Sequence, residues 1–167
     1  RLLINHEAML HQEWERDPAK SGGPLGTFGI YLFDIIRWAT GQEFKRVYAT
    51  GSNFIFPQIN ANDTVQINGV LTEGTLVSLN LVSTIIWPFP FGLMDIVGEK
   101  GVLRTNYDNY ESILQGKDGV ELGEIRYSPM GRREIHHFVD CCLGKAIPKI
   151  TLNDALAAAR CIEAVDK

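Results

Sequence analysis

The sequence of 167 residues has no apolar run of 18 residues, the length expected of a helix that crosses a bilayer. Basic residues are not in excess, because 16 lysines and arginines stand against 20 aspartates and glutamates, a formal net charge of −4. That balance offers no electrostatic basis for binding nucleic acid or an anionic membrane. We therefore expect neither nucleic-acid nor membrane partners.

Cysteine is scarce and is not arranged for cross-linking. The three cysteines are Cys141, Cys142 and Cys161, and no C-x-x-C pair occurs. An odd number with two adjacent members predicts neither a disulfide framework nor metal-ligand spacing. With no signal-peptide pattern, these features predict reduced thiols in a cytoplasmic protein. Because the sequence begins at Arg1 rather than methionine, we expect a fragment of a longer polypeptide.

A dinucleotide fingerprint is also missing. Gly23, Gly26 and Gly29 follow the spacing G-x-x-G-x-x-G instead of G-x-G-x-x-G, and no buried strand pattern precedes them. No Walker loop is present elsewhere. We interpret these glycines as serving a turn and close packing, and we expect this chain to bind no nicotinamide cofactor by itself.

The histidines do not predict a metal site. His6 and His11 miss the H-E-x-x-H spacing by one residue, so on a helix the two rings diverge. His136 and Asp140 lie four residues apart on a predicted helix and favour a structural pair. No metal ligands are therefore assigned.

Hydrophobic periodicity predicts one α+β domain in a chain that is 45% hydrophobic and 22% charged. The first 20 residues show a weak helical pattern that includes Leu2 and Leu3. The rest predicts a helix, a run of mostly antiparallel strands and two helices that cover one sheet face. The expected elements are helix 25–40, extended segment 44–56, strands 63–72, 75–86, 93–97, 102–105, 112–115 and 120–127, and helices 132–143 and 151–165.

The segment SGGPLGTFGIYLFDIIRWATG, from Ser21 to Gly41, is the best candidate for a site. On a wheel of 3.6 residues per turn, four side chains form one stripe: Thr27, Tyr31, Asp34 and Trp38. A second sector is apolar and predicts the core face, with Leu25, Phe28, Leu32, Ile35, Ile36 and Ala39. Gly41 stands where a C-terminal cap is expected. A helix with a phenol and a carboxylate on its free face suits the floor of a small-molecule site.

Several residues outside this segment are also candidates for a site, an interface or the core. Trp14 and Arg16 precede the glycine turn and are candidates for the same cleft. The proline-rich segment Trp87 to Phe91 suits either an apolar loop at a subunit contact or a cover for the core. In the helix predicted at 132–143 the apolar residues that set the helical period are Ile135, Phe138, Val139 and Cys142. In the helix at 151–165 the expected inward residues are Leu156, Ala159 and Ile162.

Three segments resemble the glucose-fructose oxidoreductase, inositol dehydrogenase and rhizopine-catabolism (Gfo/Idh/MocA) family. Ser21 to Gly41 is similar to the family segment GGG-x-L-x-D-x-G-x-H-x-x-D, which opens the first helix of the C-terminal domain. Met94 to Thr105 resembles the family's hairpin, and Arg133 to Val165 resembles its two closing helices. The resemblance implies an open, largely antiparallel sheet with helices on one face and the other face free for self-association.

The same resemblance implies a function and separate roles for two domains. Residues 1–167 would be the substrate-binding and oligomerisation domain of a homo-oligomer, and a Rossmann domain absent from the sequence would hold NAD or NADP. The whole enzyme would move hydride between the nicotinamide and a carbinol or carbonyl carbon of a sugar, polyol or similar molecule. The isolated chain would be inactive.

The family pattern assigns roles to the stripe. Tyr31 stands where many members have His, but the sugar- and dihydrodiol-oxidising branches resemble this chain in carrying Tyr there. By this resemblance Tyr31 would transfer the hydroxyl proton. Asp34 matches the family and would orient substrate together with Thr27, which replaces the usual Asp. A phenol needs a neighbouring cation for this work, and the resemblance puts a lysine on the missing domain. Without the resemblance, the sequence favours Tyr31 as a helix-surface residue that packs on a partner domain, and Asp34 equally suits a solvated carboxylate.

A different class of function stays open. The family includes non-catalytic, ligand-sensing regulators that keep the fold and lose the proton relay, and Thr27 is compatible with such a role. A stand-alone oligomerisation module is a third alternative. A lysine in an E-K-P-like motif upstream would favour the enzyme, and its absence would favour the regulator.

Overall fold

The computed structural model describes residues 2–5, 13–54, 56–57, 59–82, 92–106, 111–124 and 130–165. Side chains are described for all of these except 2–5, 15–16, 124 and 130–132. The histidines at 6 and 11 and the proline-rich segment 87–91 lie outside the described residues, so their predicted roles stay predictions.

The described residues build a sheet of eight strands in the order β2-β3-β4-β1-β5-β6-β7-β8. All neighbouring strands are antiparallel except β1 and β4, which are parallel. The predicted open, mostly antiparallel sheet is therefore confirmed. The strands are β1 Leu2–Asn5, β2 Phe44–Ser52, β3 Thr64–Leu71, β4 Leu76–Val82, β5 Gly92–Gly98, β6 Gly101–Asn106, β7 Glu111–Gly116 and β8 Gly119–Glu124.

The first strand corrects the sequence-based expectation. Leu2 and Leu3 were expected in a weak helix, but they belong to β1, which lies between β4 and β5 in the middle of the sheet. Backbone pairing on both sides satisfies the donors and acceptors of this short segment. The partners are 77 residues away on β4 and 88 to 92 residues away on β5, so local periodicity gave no sign of them.

The helices lie mainly before and after the strands, as predicted. A 3₁₀ turn at Glu13–Arg16 precedes the short α1, Pro18–Ser21, and a π-helical turn at Leu25–Gly29 leads directly into α2, Ile30–Thr40. After the sheet come α3, Met130–Cys142, and α4, Leu152–Val165. Asp154 Oδ2 accepts from the Thr151 backbone N–H at 2.8 Å, which is one of the two bonds of a capping box, and the predicted start of α4 is confirmed.

The core lies between α2, α4 and the strands β3 to β5. Its buried strand residues alternate along each strand, as one buried sheet face requires. The cluster contains Leu25, Leu32, Phe33, Ile36, Val65, Ile67, Leu71, Val77, Leu79, Leu81, Met94 and Ala158.

The buried face of α2 is rotated from the predicted one. Leu32 and Ile36 are buried as expected, but Ala39 is exposed, and Phe33, assigned to neither face, is completely buried. A π-helical turn takes in one residue more than an α-helical turn, so the turn at Leu25–Gly29 shifts the phase of every later side chain.

The last two helices also differ from the expectation. On α3, Ile135, Phe138 and Val139 are 62%, 67% and 46% exposed, and Cys142 is exposed. On α4 the core contact is made by Ala158, Cys161, Ile162 and Val165, while Leu156 and Ala159 are exposed. Their apolar periodicity predicted helices correctly, but not the surface that each helix covers.

The sheet face opposite α2 and α4, called the open face here, changes character across the sheet. Over β3 and β4 it carries Gln66, Asn68, Ser78 and Asn80, which alternate with the buried residues. Over β5 to β8 the strand register places on it the Asp95–Arg104 ion pair and four exposed apolar side chains, Val97, Ile113, Val120 and Leu122.

Candidate functional site

A two-glycine turn positions the start of the helix that carries the candidate residues. Asp17 caps α1, and α1 ends at Gly22, whose N–H donates to Pro18 O at 2.8 Å. Gly22 and Gly23 have φ values of 72° and 65°, a region in which glycine meets no Cβ penalty. The predicted turn is therefore confirmed, and it aims the chain into the π-helical turn.

Gly29 explains the close approach of α2 to α4. A Cβ at this position would lie 2.8 Å from Leu25 Cδ1 and 3.0 Å from Ile162 Cδ1, distances too short for van der Waals contact. A Cβ on Gly26 would similarly lie 2.8 Å from the Ser21 carbonyl oxygen. The packing interpretation of these glycines is confirmed.

Thr27 is separated from the rest of the predicted stripe. Its hydroxyl donates to the backbone at Gly23 O, 3.0 Å away, with Ser21 O at 3.4 Å. Thr27 lies inside the π-helical turn, and it does not line the cleft that Tyr31, Asp34 and Trp38 share. The single hydroxyl proton is used locally, so Thr27 retains only acceptor capacity.

Tyr31, Asp34 and Trp38 line one surface cleft of about 550 Å³. Tyr31 is 62% exposed and Trp38 is 80% exposed, although both are large aromatic residues. The cleft is also lined by Lys149 and Ile150 of the α3–α4 linker and by Asp154 at the start of α4. The structure therefore brings three of the four stripe residues to a site that a distant part of the chain completes.

Arg37 organises the floor of this cleft. Its side chain is only 9% exposed, and it forms a bidentate pair with Glu43, Nε to Oε2 and Nη2 to Oε1 both at 2.7 Å. Nη1 donates to the Asp154 carbonyl oxygen at 3.1 Å, and Asp34 Oδ1 lies 3.7 Å from the same nitrogen. Arg37 thus ties α2, the segment before β2 and the start of α4 together.

The charged groups around Arg37 stabilise one another in their ionised forms. Hydrogen bonding to Glu43 raises the pKa of Arg37, and the same bonds lower the pKa of Glu43. The hydroxyl and backbone N–H of Thr151 lower the pKa of Asp154, with a smaller effect from Arg37. Arg37, Glu43 and Asp154 are therefore all favoured in their ionised forms.

The two candidates before the glycine turn are not brought into the cleft. Trp14 is 48% exposed in the 3₁₀ turn, and it is not among the residues that line the cleft. The backbone of Arg16 belongs to the same turn, and its side chain lies outside the described residues. Both assignments stay predictions.

Sequence reasoning missed Arg37 and Lys149. Arg37 lies three residues after Asp34 on the same helix, so an i,i+3 ion pair was a visible signal. Lys149 is 118 positions beyond Tyr31 and reaches the cleft only because α4 packs on α2. Nothing local in the sequence indicates that juxtaposition.

Metal ligation and membrane insertion find no support in the described part of the chain. No three histidine, cysteine, aspartate or glutamate side chains there come together as possible metal ligands. Over the same residues, every helix is too short or too polar to cross a membrane.

A family model described as the GFO/IDH/MocA C-terminal domain matches residues 4–104, more than half of the chain. This chain belongs to the GFO/IDH/MocA family. The match includes the glycine turn, α2 and the strands as far as β6, so it covers the helical side of the candidate cleft. No curated relative matches the sequence.

Solved structures share this fold at low sequence identity. A levoglucosan dehydrogenase in complex with NADH and levoglucosan is 17% identical with a TM-score of 0.87, and the match covers 99% of this chain and 55% of that one. UDP-N-acetylglucosamine 3-dehydrogenase GnnA from Acidithiobacillus ferrooxidans is 14% identical with a TM-score of 0.81, covering 99% and 51%. A super-repressor mutant of Gal80p from Saccharomyces cerevisiae is 20% identical with a TM-score of 0.81, covering 99% and 54%.

These likenesses establish the fold that the sequence resemblance implied. They also show that this chain spans about half the length of the structures that it matches. Two of these three relatives are dehydrogenases and one is a mutant of a repressor, so the fold alone does not decide the role of the cleft.

Proposed function

We propose that this chain is the substrate-binding and oligomerisation domain of an NAD(P)-dependent oxidoreductase that acts on a sugar, polyol or similar hydroxylated molecule. The observation that supports this proposal is the cleft lined by two residues of α2, the exposed Tyr31 and Asp34. Relatives of this fold include a structure with NADH and levoglucosan bound. A dinucleotide-binding domain would be supplied by another part of a longer polypeptide.

The residues described here do not fit the cofactor's pyrophosphate. The glycine turn would be the natural cradle, but the space beside Gly26 is occupied by the Ser21 carbonyl oxygen, and that beside Gly29 by Leu25 and Ile162. A phosphate-binding turn needs that space and free backbone N–H groups. We therefore assign no cofactor contact to this chain.

The proposed chemistry of the chain concerns the substrate hydroxyl. Tyr31 carries a phenol that both donates and accepts hydrogen bonds, so it is suited to exchange a proton with that hydroxyl. Asp34 accepts hydrogen bonds only and is suited to orient a neighbouring hydroxyl. Arg37 Nη1 holds Asp34 from 3.7 Å without saturating its oxygens.

Replacing Tyr31 by Phe tests this function in the longer parent protein. The substitution removes only the hydroxyl from a 62% exposed ring, so stability should change by less than about 0.5 kcal/mol. General acid–base assistance is worth roughly 10²- to 10⁴-fold, and kcat should fall by that factor. Steady-state kinetics of sugar- or polyol-dependent NAD(P)⁺ reduction measures it.

Tyr48→Phe is the matched control, since Tyr48 is a 73% exposed tyrosine on β2 that does not line the cleft. Its kcat should equal that of the wild-type enzyme. A Tyr31→Phe enzyme with turnover within a few-fold of wild type would show that Tyr31 is structural and that the proton passes elsewhere.

A ligand-sensing regulator without catalysis is the second candidate. Thr27 stands where the family resemblance expects Asp, and its hydroxyl proton is donated to Gly23 O. The Gal80p mutant shares the fold with a TM-score of 0.81. On this alternative the parent protein binds a sugar and a nicotinamide cofactor without turnover. If the parent protein is a regulator, the Thr27→Asp variant should be as inactive as the wild-type protein. If it is an enzyme, the wild-type protein should already be active with Thr27.

Self-association is the remaining part of the proposal and concerns the open face. Its apolar side chains over β5 to β8 include Val97 and Leu122, each 77% exposed. A contiguous exposed apolar surface of this kind is typical of an interaction site. A second copy of the chain covers this apolar surface when the two open faces form an isologous contact.

Leu122→Lys should convert the oligomer to monomer at tens of micromolar, because it places a charge within the apolar part of the contact. Leu114→Lys is the control, since Leu114 is 44% exposed but lies on the opposite face of β7. Light scattering that shows a wild-type monomer at this concentration would refute the interface.

A further inference from the structure

Lys149 has no role in the function proposed so far, yet it lines the same cleft as Tyr31. Among the described residues, Arg37 and Lys149 are the basic side chains that line this cleft. Arg37 is committed to protein groups, because Glu43, Asp154 and Asp34 face its N–H donors. A guanidinium has five such donors, so it has little left for a ligand.

The ammonium of Lys149 is in a different position. No described carboxylate forms an ion pair with it, whereas the ion pairs of the cleft all involve Arg37. An ammonium on a flexible stem offers three donors and no acceptor. In this part of the chain Lys149 is therefore the cation available to a molecule in the cleft.

The backbone of Lys149 is anchored even though its side chain is exposed. Its N–H donates to Nε2 of His137 on α3 at 3.3 Å, and Cys141 Sγ lies 3.6 Å from the same nitrogen. Nε2 of His137 is thus the acceptor for the backbone at Lys149. The preceding linker is tied to α3 as well, through Lys145 N–H and Asp140 O at 2.8 Å.

We propose that Lys149 binds the substrate in the Tyr31 cleft and that His137 is the positioning residue that holds it there. The inference rests on the proposed function and says which groups of the same site recognise the ligand. Lys149 donates, Asp34 accepts, Tyr31 does both, and the exposed ring of Trp38 supplies an apolar wall. This set is complementary to a molecule with several neighbouring hydroxyls, the oxygen nearest the linker being bound by Lys149.

The test measures kinetics of the parent protein and ligand binding by this chain. Lys149→Met should raise KM for the sugar about five- to tenfold, the value of a charge-assisted hydrogen bond at a partly exposed site, with kcat within twofold. His137→Leu should raise KM about two- to threefold, and His137→Gln, which restores an acceptor near Nε2, should recover it. A purely structural role would lower the melting temperature without this KM-against-kcat split.

Lys145→Met is the matched control, because Lys145 is an exposed lysine of the same linker that does not line the cleft. Binding of D-glucose and of D-glucuronate is measured separately, as quenching of the tryptophan fluorescence of the chain. Loss of this quenching in a Trp38→Phe variant shows that the signal comes from Trp38. Equal effects of Lys149→Met and Lys145→Met on KM and on this binding would overturn the inference, as would a wild-type chain that binds neither sugar.

The two proposals fail in different ways. If the parent protein binds a sugar but transfers no hydride, the oxidoreductase proposal fails, and the effect of Lys149→Met on sugar affinity still decides the role of Lys149. If catalysis is present and Lys149→Met leaves KM unchanged, only the role of Lys149 is refuted.

Discussion

Phe33→Ala tests the rotated packing of α2, on which the outward direction of Tyr31 and Trp38 depends. Phe33 is completely buried, and its ring meets Phe44 edge to face, with centroids 5.0 Å apart and an interplanar angle of 77°. Truncation of a buried Phe costs about 3–5 kcal/mol, and an aromatic pair contributes about 0.5–1.5 kcal/mol beyond area burial. We therefore expect a loss of about 4–5 kcal/mol in the free energy of unfolding.

The comparison variant is Trp38→Ala, a larger truncation on the same helix. Trp38 is 80% exposed, so its removal should change stability by less than about 0.5 kcal/mol. Urea unfolding followed by far-ultraviolet circular dichroism measures both variants, and unchanged slopes show that the denatured states are comparable.

The opposite result would refute the assigned orientation of α2. A wheel of uniform 3.6-residue pitch puts Ala39 in the core sector and leaves Phe33 outside it. A Phe33→Ala protein that loses less than about 1.5 kcal/mol, or a Trp38→Ala protein that loses as much, would mean that the π-helical turn does not set the phase of the helix.

Two further predictions concern titration and thiol chemistry. The lowered pKa values of Glu43 and Asp154 mean that folding favours their ionised forms, so this contribution is complete above their ordinary values of 4.5 and 3.8 and is lost as pH falls further. The melting temperature should therefore drop steeply below about pH 4.5, and a Glu43→Gln/Asp154→Asn double variant should show a flatter acid limb; parallel curves would contradict the role of the Arg37 network. Burial raises the pKa of the Cys161 thiol, whereas Cys142 is exposed. An aromatic disulfide reagent at pH 8 should label Cys142 rapidly and Cys161 slowly, and equal rates of the two would contradict the packing of α4.

Local chemistry was sufficient for most secondary structure and for the family. Alternating apolar residues predicted β3 and β4, the glycine turn and Gly41 marked the two ends of the first long helix, and Thr151 with Asp154 marked the start of α4. These signals act over a few residues, where backbone geometry and capping depend on the neighbours in sequence.

The sequence by itself thus determined the α+β class, the C-terminal domain of its family and the helix that carries Tyr31 and Asp34. Only the tertiary structure decided that Leu2–Asn5 is an inner strand, that Phe33 and not Ala39 faces the core, and that Arg37 and Lys149 complete the cleft. Each of these depends on a partner more than 70 residues away or on a π-helical turn that no periodicity reveals. Packing against distant elements decides such features, because it outweighs the small local preferences of a short segment.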